Sequence, residues 1–122
     1  MGVLTKLKTV VCKNYYATKI KKRATVCGKN LYVGGKSYVN SQTFLGENVC
    51  FNGMAISGKG KVEIGNYFHS GVGCQIITSF HNYEGDRIPY DETYIHKDVE
   101  IGDCVWLGNN VIILDRTQIC RR

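Results

Sequence analysis

Three histidines, at positions 69, 81 and 96, are the side chains of this chain best suited to proton transfer at neutral pH. His81 ends a mostly apolar run at residues 76–80 and precedes a polar stretch, so the pattern places it where a strand meets a loop. A neutral imidazole there can accept the proton of a hydroxyl group; the alternative is a bystander at a strand end. The histidines are twelve and fifteen residues apart and lack the close pair of a metal site, so no metal is predicted.

Six cysteines, at positions 12, 27, 50, 74, 104 and 120, include no CxxC pair. Their spacing differs from that of a small disulfide-rich secreted domain, and lysines interrupt the apolar stretch at the N-terminus, so no secretory signal is predicted. We expect free thiols and a reducing, cytoplasmic location, with disulfides as the alternative.

The composition favours one folded domain: the chain has 122 residues, 43% of them hydrophobic, with 14 glycines and a single proline. No segment approaches the ~18 consecutive apolar residues of a transmembrane helix. The net charge of +6 is uneven, since residues 1–46 contain nine Lys or Arg and no acid. That basic end suits phosphates, an anionic polysaccharide, nucleic acid or a membrane surface, or is simply a solvated face. We predict no nucleic-acid partner, because charge alone selects none.

Residues 2–19 predict an amphipathic N-terminal helix. Apolar side chains recur at helical spacing at Leu4, Leu7, Val11 and Tyr15, with lysines mostly between them, and the basic run at 21–23 ends the pattern. We expect this helix to pack on or cap a neighbouring core, with membrane docking as the alternative because the apolar face is modest.

A six-residue rhythm dominates the rest of the chain. Neither an α-helix nor an alternating hairpin has this period, which predicts a solenoid of short parallel strands whose large residues stack from coil to coil. Glycine or asparagine often follows the large residue, a feature we attribute to special backbone angles. A smaller residue such as Thr43, Val49 or Ala55 comes four positions after the large one, and we expect both to point inward. The large positions are Val33, Val39, Leu45, Phe51, Ile64, Ser70, Ile76, Ile95, Ile101, Leu107, Ile113 and Ile119.

The rhythm is disturbed twice. Between Phe51 and Ile64 there is one residue too many, which we expect residues 57–63 to absorb as a bulge or widened corner. Between Ile76 and Ile95 the spacing is nineteen, and residues 82–94 contain the only proline and no repeat signature. They predict an external loop that leaves the stack of coils.

The repeats VGGKSY, LGENVC, IGNYFH, IGDCVW and LGNNVI resemble those of the hexapeptide-repeat acyltransferases. The resemblance covers about residues 26–119. The stretch IGNYFHSGVGCQIITSFHNY, followed by a loop and KDVEIGDCVWLGNNVIIL, is similar to the branch of maltose, galactoside and polysaccharide O-acetyltransferases, with the xenobiotic acetyltransferases as close relatives. It implies a mainly β fold, a left-handed parallel β-helix over 25–122 with an external loop at 82–94, preceded by a helix and basic segment at 1–24.

The resemblance also implies an acetyl-CoA-dependent O-acetyltransferase that acts on a saccharide hydroxyl. In that branch the histidine before the loop, here His81, is the general base, and transfer is direct. A homotrimer is implied, with three sites between neighbouring β-helices. Gly108 and Asn109 match the segment that contacts the thioester of acetyl-CoA, and Trp106 matches a tryptophan that lines the pantetheine and acceptor area. An aromatic that shields the outside of the β-helix is the alternative for Trp106.

Acceptor-binding residues are expected in two places. Asn52 lies near the position of an acceptor-binding asparagine in the galactoside-type enzymes, with a simple corner residue as the alternative. The loop after the histidine helps to build the acceptor pocket in the family. The loop residues that we assign to substrate binding are Tyr83, Glu84, Asp86 and Arg87.

The chain departs from the family pattern after VIIL. There the family continues with a Pro-Gly corner and further coils that hold the adenine and phosphate end of coenzyme A, whereas residues 115–122 of this chain read DRTQICRR. Two alternatives to the saccharide acetyltransferase therefore stay open. One is a xenobiotic (antibiotic) O-acetyltransferase, and the other is a catalytically incomplete trimeric scaffold or binding module.

Overall fold

The computed structural model describes residues 2–114 and 117–119, apart from the side chains of residues 9, 12 and 13. One helix, α1 (Val3–Arg23), precedes a series of short strands. The strands are β1 (Val26–Cys27), β2 (Tyr32–Val33), β3 (Thr43–Leu45), β4 (Cys50–Phe51), β5 (Met54–Ser57), β6 (Val62–Ile64), β7 (His69–Ser70), β8 (Cys74–Ile77), β9 (Ser79–His81), β10 (Tyr94–His96), β11 (Val99–Ile101), β12 (Trp106–Leu107), β13 (Ile112–Ile113) and β14 (Gln118–Ile119).

Three parallel sheets form the body of the protein. Sheet A has the order β1-β3-β6-β11-β14, sheet B the order β12-β7-β4-β2 and sheet C the order β13-β8-β5. The chain visits A, B and C in turn, and we call one such circuit a coil. The predicted mainly β fold of short parallel strands is confirmed.

The six-residue rhythm supplies the core inside the coils. In sheet A, Leu45, Ile64 and Ile101 stack in register, and all three are buried. Between coils, the Phe51 and Phe68 rings meet edge to face with their centroids 5.8 Å apart. Such contacts add to the burial that holds one coil on the next.

The first disturbance of the rhythm, between Phe51 and Ile64, consists of two changes, whereas the sequence predicted a single extra residue. The corner at residues 52–53 is one residue shorter than its counterpart in the next coil, because Phe51 and Met54 pair with Ser70 and Cys74. Residues 57–61 then contain the compensating insertion. Met54 and Ile56 are consequently buried, and the prediction that Ala55 points inward was wrong. A φ of +118° at Gly53 permits the tight corner.

The glycines that follow the large residues are required by close approach rather than by unusual backbone angles. Gly46 and Gly65 are absent from the positive-φ positions, which include Asn48 and Tyr67 instead. A Cβ on Gly65 would lie 2.7 Å from the carbonyl carbon of Gly102 in the next coil. The coils therefore stack closely only where this position lacks a side chain.

Helix α1 packs on the first coil through its C-terminal half. Ile20 is buried there, and Arg23 Nε donates a hydrogen bond to the carbonyl of Val39 at 2.9 Å. The predicted helix is confirmed, but the predicted apolar face was wrong: Leu4, Leu7, Val11 and Tyr15 are all exposed, and the helix packs on the core through Tyr16, Ala17 and Ile20 instead. Across the described residues, no helix combines the length and apolar character needed to cross a membrane.

The second disturbance is an antiparallel hairpin. Strands β9 and β10 pair with His81 opposite Tyr94, and residues 82–93 join them. Ile95, which the rhythm had assigned to a coil, lies in this hairpin opposite Phe80. The body resumes without loss of register, because Val99 pairs with Val62 of the preceding coil.

Two glycine substitutions test the close stacking of the coils. We expect Gly65→Ala to lower the free energy of unfolding by about 2 kcal/mol or more, because the added Cβ presses on backbone of the next coil. Gly108→Ala is the matched control, since no atom lies within 4 Å of its added Cβ, and it should change stability by less than about 0.5 kcal/mol. Urea unfolding measures both, and equal effects would contradict the close-approach explanation.

Candidate active site

A large cleft on the outer surface of the coils follows the corner between sheets B and C. We call it the glycine cleft; its volume is about 730 Å³. Half of its lining residues are glycines, so a ligand there meets backbone between the side chains of the other half. The glycines that line it are Gly34, Gly35, Gly53, Gly71, Gly73 and Gly108.

Four of the residues predicted from the sequence meet in this cleft: Asn52, Trp106, Gly108 and Asn109. Trp106 stands on β12 with 77% of its surface exposed, so its indole is available to a ligand. The Asn109 side chain is fixed, because its Oδ1 accepts a hydrogen bond from the Val72 backbone N–H at 2.9 Å. The structure therefore supports the grouping of these residues, while their roles stay predictions.

His69 also lines the glycine cleft, and sequence reasoning did not include it in the site. Its Nε2 lies 3.3 Å from Nδ2 of Asn52, which also donates to the carbonyl of Ser70 at 3.1 Å. Because an amide nitrogen can only donate, Nε2 accepts and a neutral His69 carries its proton on Nδ1. The signal in the sequence was the register: once the hairpin is discounted, His69 on β7 pairs with Trp106 on the neighbouring strand β12 of sheet B.

Cys50 lies beside Asn52 at the edge of this group. Its thiol is in the register position next to His69 and is 3.8 Å from Asn52 Nδ2. Burial raises the pKa of the Cys50 thiol from its ordinary value of 9.0, although the hydrogen bond from Asn52 opposes the shift. The group is therefore a neutral thiol at physiological pH and a poor nucleophile.

His81 lies on the hairpin, between two aromatic rings. The Tyr90 ring stacks on its imidazole with centroids 3.7 Å apart and planes 17° apart, and the Tyr94 ring is 4.9 Å away. The side chain is exposed. These contacts fix the plane of the imidazole and leave its edge, which carries both nitrogens, open to a hydroxyl group.

The structure does not bring His81 into the glycine cleft of the same chain. The cleft lies at one end of β8, at residues 71–73, and the hairpin leaves from the other end, after Thr78. Strand β8 has four residues and spans about 13 Å. The hairpin that carries His81 and the glycine cleft are therefore at opposite ends of β8.

The predicted substrate-binding residues Tyr83, Glu84, Asp86 and Arg87 all lie on the loop beside His81 and are exposed. Arg87 is engaged with a neighbour, since its Nη2 lies 2.6 Å from Oε1 of Glu92. The loop thus presents one aromatic ring and several polar groups near the imidazole, on the opposite side of sheet C from Asn52.

Asp91 organises this loop, although nothing in its sequence context distinguishes it from the other acidic residues there. Its Oδ1 accepts hydrogen bonds from the hydroxyl and the backbone N–H of Thr93, and its Oδ2 accepts the backbone N–H of Asp86 at 3.0 Å. The Thr93 hydroxyl contributes most to lowering the pKa of Asp91 below its ordinary value of 3.8. Asp91 thereby holds the backbone next to Tyr90, which stacks on His81.

Among the described residues, no three His, Cys, Asp or Glu side chains form a group that could hold a metal ion. No protein-family model matches this chain, and no solved structure gives a significant match. The arrangement of residues is therefore the basis for any function assigned to it.

Asp91→Asn tests the anchoring of the loop. The amide places a donor where Oδ2 accepts the Asp86 N–H, so we expect the protection of the Asp86 and Thr93 amides against hydrogen exchange to fall about tenfold. Glu92→Gln is the control, because it weakens only the exposed pair with Arg87. Unchanged protection in Asp91→Asn would contradict the role of this carboxylate.

The lowered pKa of Asp91 predicts that the stability of the loop depends on pH. Because folding lowers its pKa, Asp91 stabilises the loop above pH 3.8, and this stabilisation is lost as the pH falls through the lower folded value. The amide chemical shifts of residues 82–93 should move together in an acid titration below pH 3.8, before those of the coils do.

Proposed function

We propose that the protein is an acetyl-CoA-dependent O-acetyltransferase of the hexapeptide-repeat kind, built on a left-handed parallel β-helix, that acts on a saccharide hydroxyl. One observation carries the proposal. A histidine clamped between two tyrosine rings and a glycine-lined cleft with an exposed tryptophan lie at the two ends of the same sheet. The repeats quoted above support it independently.

His81 and the glycine cleft are the two halves of the proposed site, and their separation within one chain supports a homotrimer. If coils pack side by side around a threefold axis, the His81 corner of one protomer faces the glycine cleft of the next, and each of the three interfaces contains one complete site. A closed ring of this kind uses both ends of sheet C in every protomer. The monomer presents both halves on its surface.

Transfer in this site is direct. As the acceptor hydroxyl attacks the carbonyl carbon of acetyl-CoA, a ring nitrogen of His81 takes its proton. The new C–O bond gives a tetrahedral oxyanion, and its collapse breaks the C–S bond. The departing coenzyme A sulfur takes the proton from His81, so the products are the O-acetyl ester and the free thiol, and the imidazole returns to its neutral form.

The glycine cleft fits the acetyl-CoA end of this reaction. A pantetheine arm is slender and carries amides, which suits a groove whose lining is half glycine and so exposes backbone groups. Trp106 offers its exposed indole to that arm. We assign the stabilisation of the oxyanion to the backbone N–H groups of Gly108 and Asn109, at a corner where no side chain has to move.

An acyl-enzyme on cysteine is not part of the proposal. Burial keeps the Cys50 thiol beside the cleft protonated at neutral pH, as its raised pKa indicates. A thiol in that state is a poor nucleophile, whereas a neutral imidazole is ready to accept a proton.

Two histidine variants test the assignment of the base. We expect His81→Ala to retain its circular dichroism spectrum and lose about 100-fold or more in kcat, measured as acceptor-dependent release of the coenzyme A thiol. His69→Ala should raise KM for acetyl-CoA and leave kcat within about threefold, because this histidine only lines the cleft. Full turnover in His81→Ala, or a loss confined to His69→Ala, would contradict the assignment.

The acceptor class is decided by a panel. Saccharides and hydroxyl-bearing antibiotics are offered in parallel to the same enzyme, and thiol release is followed. Release with saccharides supports the proposal; release with antibiotics alone identifies a xenobiotic acetyltransferase. Binding of acetyl-CoA without release, or no binding by the folded chain, identifies the scaffold.

A further inference from the structure

A second groove lies between helix α1 and the first coil. It shares Lys36 with the glycine cleft, and the proposed reaction uses none of its other residues. We call it the helix groove; its volume is about 720 Å³. The helix supplies Tyr15, Tyr16, Lys19, Ile20 and Arg23, and the coils supply residues 36–40 and 56–58.

The charged residues that line the helix groove are all cations. Lys19, Arg23 and Lys36 line it, and neither aspartate nor glutamate is among its lining residues. In the described part of the chain, the ion pairs are those of Lys61 with Glu63 and of Arg87 with Glu92, so the three cations of the groove are without a carboxylate. An anionic ligand would pair with them.

Tyrosine rings stand beside these cations. The Lys19 ammonium lies 4.8 Å from the centroid of the Tyr15 ring, and a hydrogen bond with that side chain raises the pKa of Lys19, which keeps the group charged. Tyr16 and Tyr38 also line the groove. Flat rings next to cations suit a ligand that carries both sugar rings and negative charges.

The backbone of the groove is held firmly. Arg23 is anchored through Nε to the carbonyl of Val39, which leaves its terminal nitrogens for a ligand. Asn40, which is buried, donates from Nδ2 to the carbonyls of Gly58 and Gly60 at 3.1 and 2.9 Å. Tyr38 forms a parallel bridge with Ala55 at the edge of sheet C.

The groove ends at the corner from which the His81 hairpin leaves. Gly58 lines the groove, and the backbone N–H of its neighbour Lys59 donates to Ser79 Oγ at 2.8 Å. Ser79 begins β9, two residues before His81. One strand spacing of about 4.8 Å and two residues of about 3.3 Å each therefore separate this end of the groove from the backbone of His81.

We propose that the helix groove binds an acidic saccharide chain, with its carboxylates on Lys19, Arg23 and Lys36 and its sugar rings against the tyrosines. The inference rests on the proposed function, because the chain bound there is the acceptor whose next sugar reaches His81. It narrows the acceptor from saccharides in general to polyanionic ones.

The placement of the cations favours a chain with repeated charges over one phosphate group. Lys19 and Arg23 are one helical turn apart, about 6 Å, and Lys36 lies on the coil beneath the helix. Charges spread along a groove match carboxylates that recur along a uronate chain. A single phosphate would favour donors that converge on one point.

The test is calorimetric titration of the intact chain with tetragalacturonate at low salt. We expect binding that weakens as salt is raised and that falls at least tenfold in Lys19→Gln/Lys36→Gln. The control Lys8→Gln/Lys29→Gln removes the same charge from exposed positions outside the groove and should stay within about twofold.

Two further ligands complete the titration. The methyl ester of the same oligosaccharide, which is neutral, and a nucleoside diphosphate should bind at least tenfold more weakly. Equal binding of the ester, preference for the nucleotide, or equal losses in both double variants would overturn the inference. Thiol-release assays separate the two proposals: transfer to neutral saccharides with no gain from acidic ones contradicts only the groove, whereas saturable tetragalacturonate binding without transfer contradicts only the acetyltransferase.

Discussion

The structure depends on hydrogen bonds that side-chain carbonyl groups accept from the backbone of the neighbouring coil. Asp103 Oδ1 accepts the Asn66 N–H at 2.7 Å, and Asn66 Oδ1 in turn accepts the Glu47 N–H at 2.8 Å. Each such oxygen occupies the space where the neighbouring coil would carry a Cβ, at Gly65 and Gly46. A corner asparagine or aspartate of one coil therefore requires a glycine at the corner of the neighbouring coil. This requirement helps to explain why glycine, asparagine and aspartate recur with the six-residue rhythm.

This constraint also explains where functional features lie. A corner rich in glycine leaves backbone uncovered and forms a groove, and the glycine cleft is such a corner extended over several coils. The hairpin, by contrast, leaves the stack after Thr78, and the register resumes where Val99 pairs with Val62. An insertion at a corner lowers the stability of the coil stack only slightly when the strands on both sides keep their partners. Loops that carry function therefore leave solenoids at such points.

The sequence alone predicted the parallel strands from the six-residue rhythm and the N-terminal helix from apolar residues at helical spacing. Asn52 and Trp106 were named from the resemblance to a family, and the structure places both in the glycine cleft. The sequence pattern missed the shortened corner at residues 52–53 and the compensating insertion, since two opposite changes leave a net of one residue in the count. The role of Asp91 depends on the folded path of a loop without a repeat. The separation of His81 from the glycine cleft required knowing that they lie at opposite ends of β8.

The most direct test of the account is complementation between two inactive variants, His81→Ala and Gly108→Trp, co-expressed in equal amounts. The tryptophan fills the glycine cleft, because the Cβ direction at Gly108 is open. If every site joins His81 of one protomer to the cleft of its neighbour, each mixed trimer regains one site of three, and the whole co-expressed sample regains about a quarter of the wild-type sites. Thiol release near that level is the predicted result. Mixtures as inactive as the two parents would contradict a site shared between subunits.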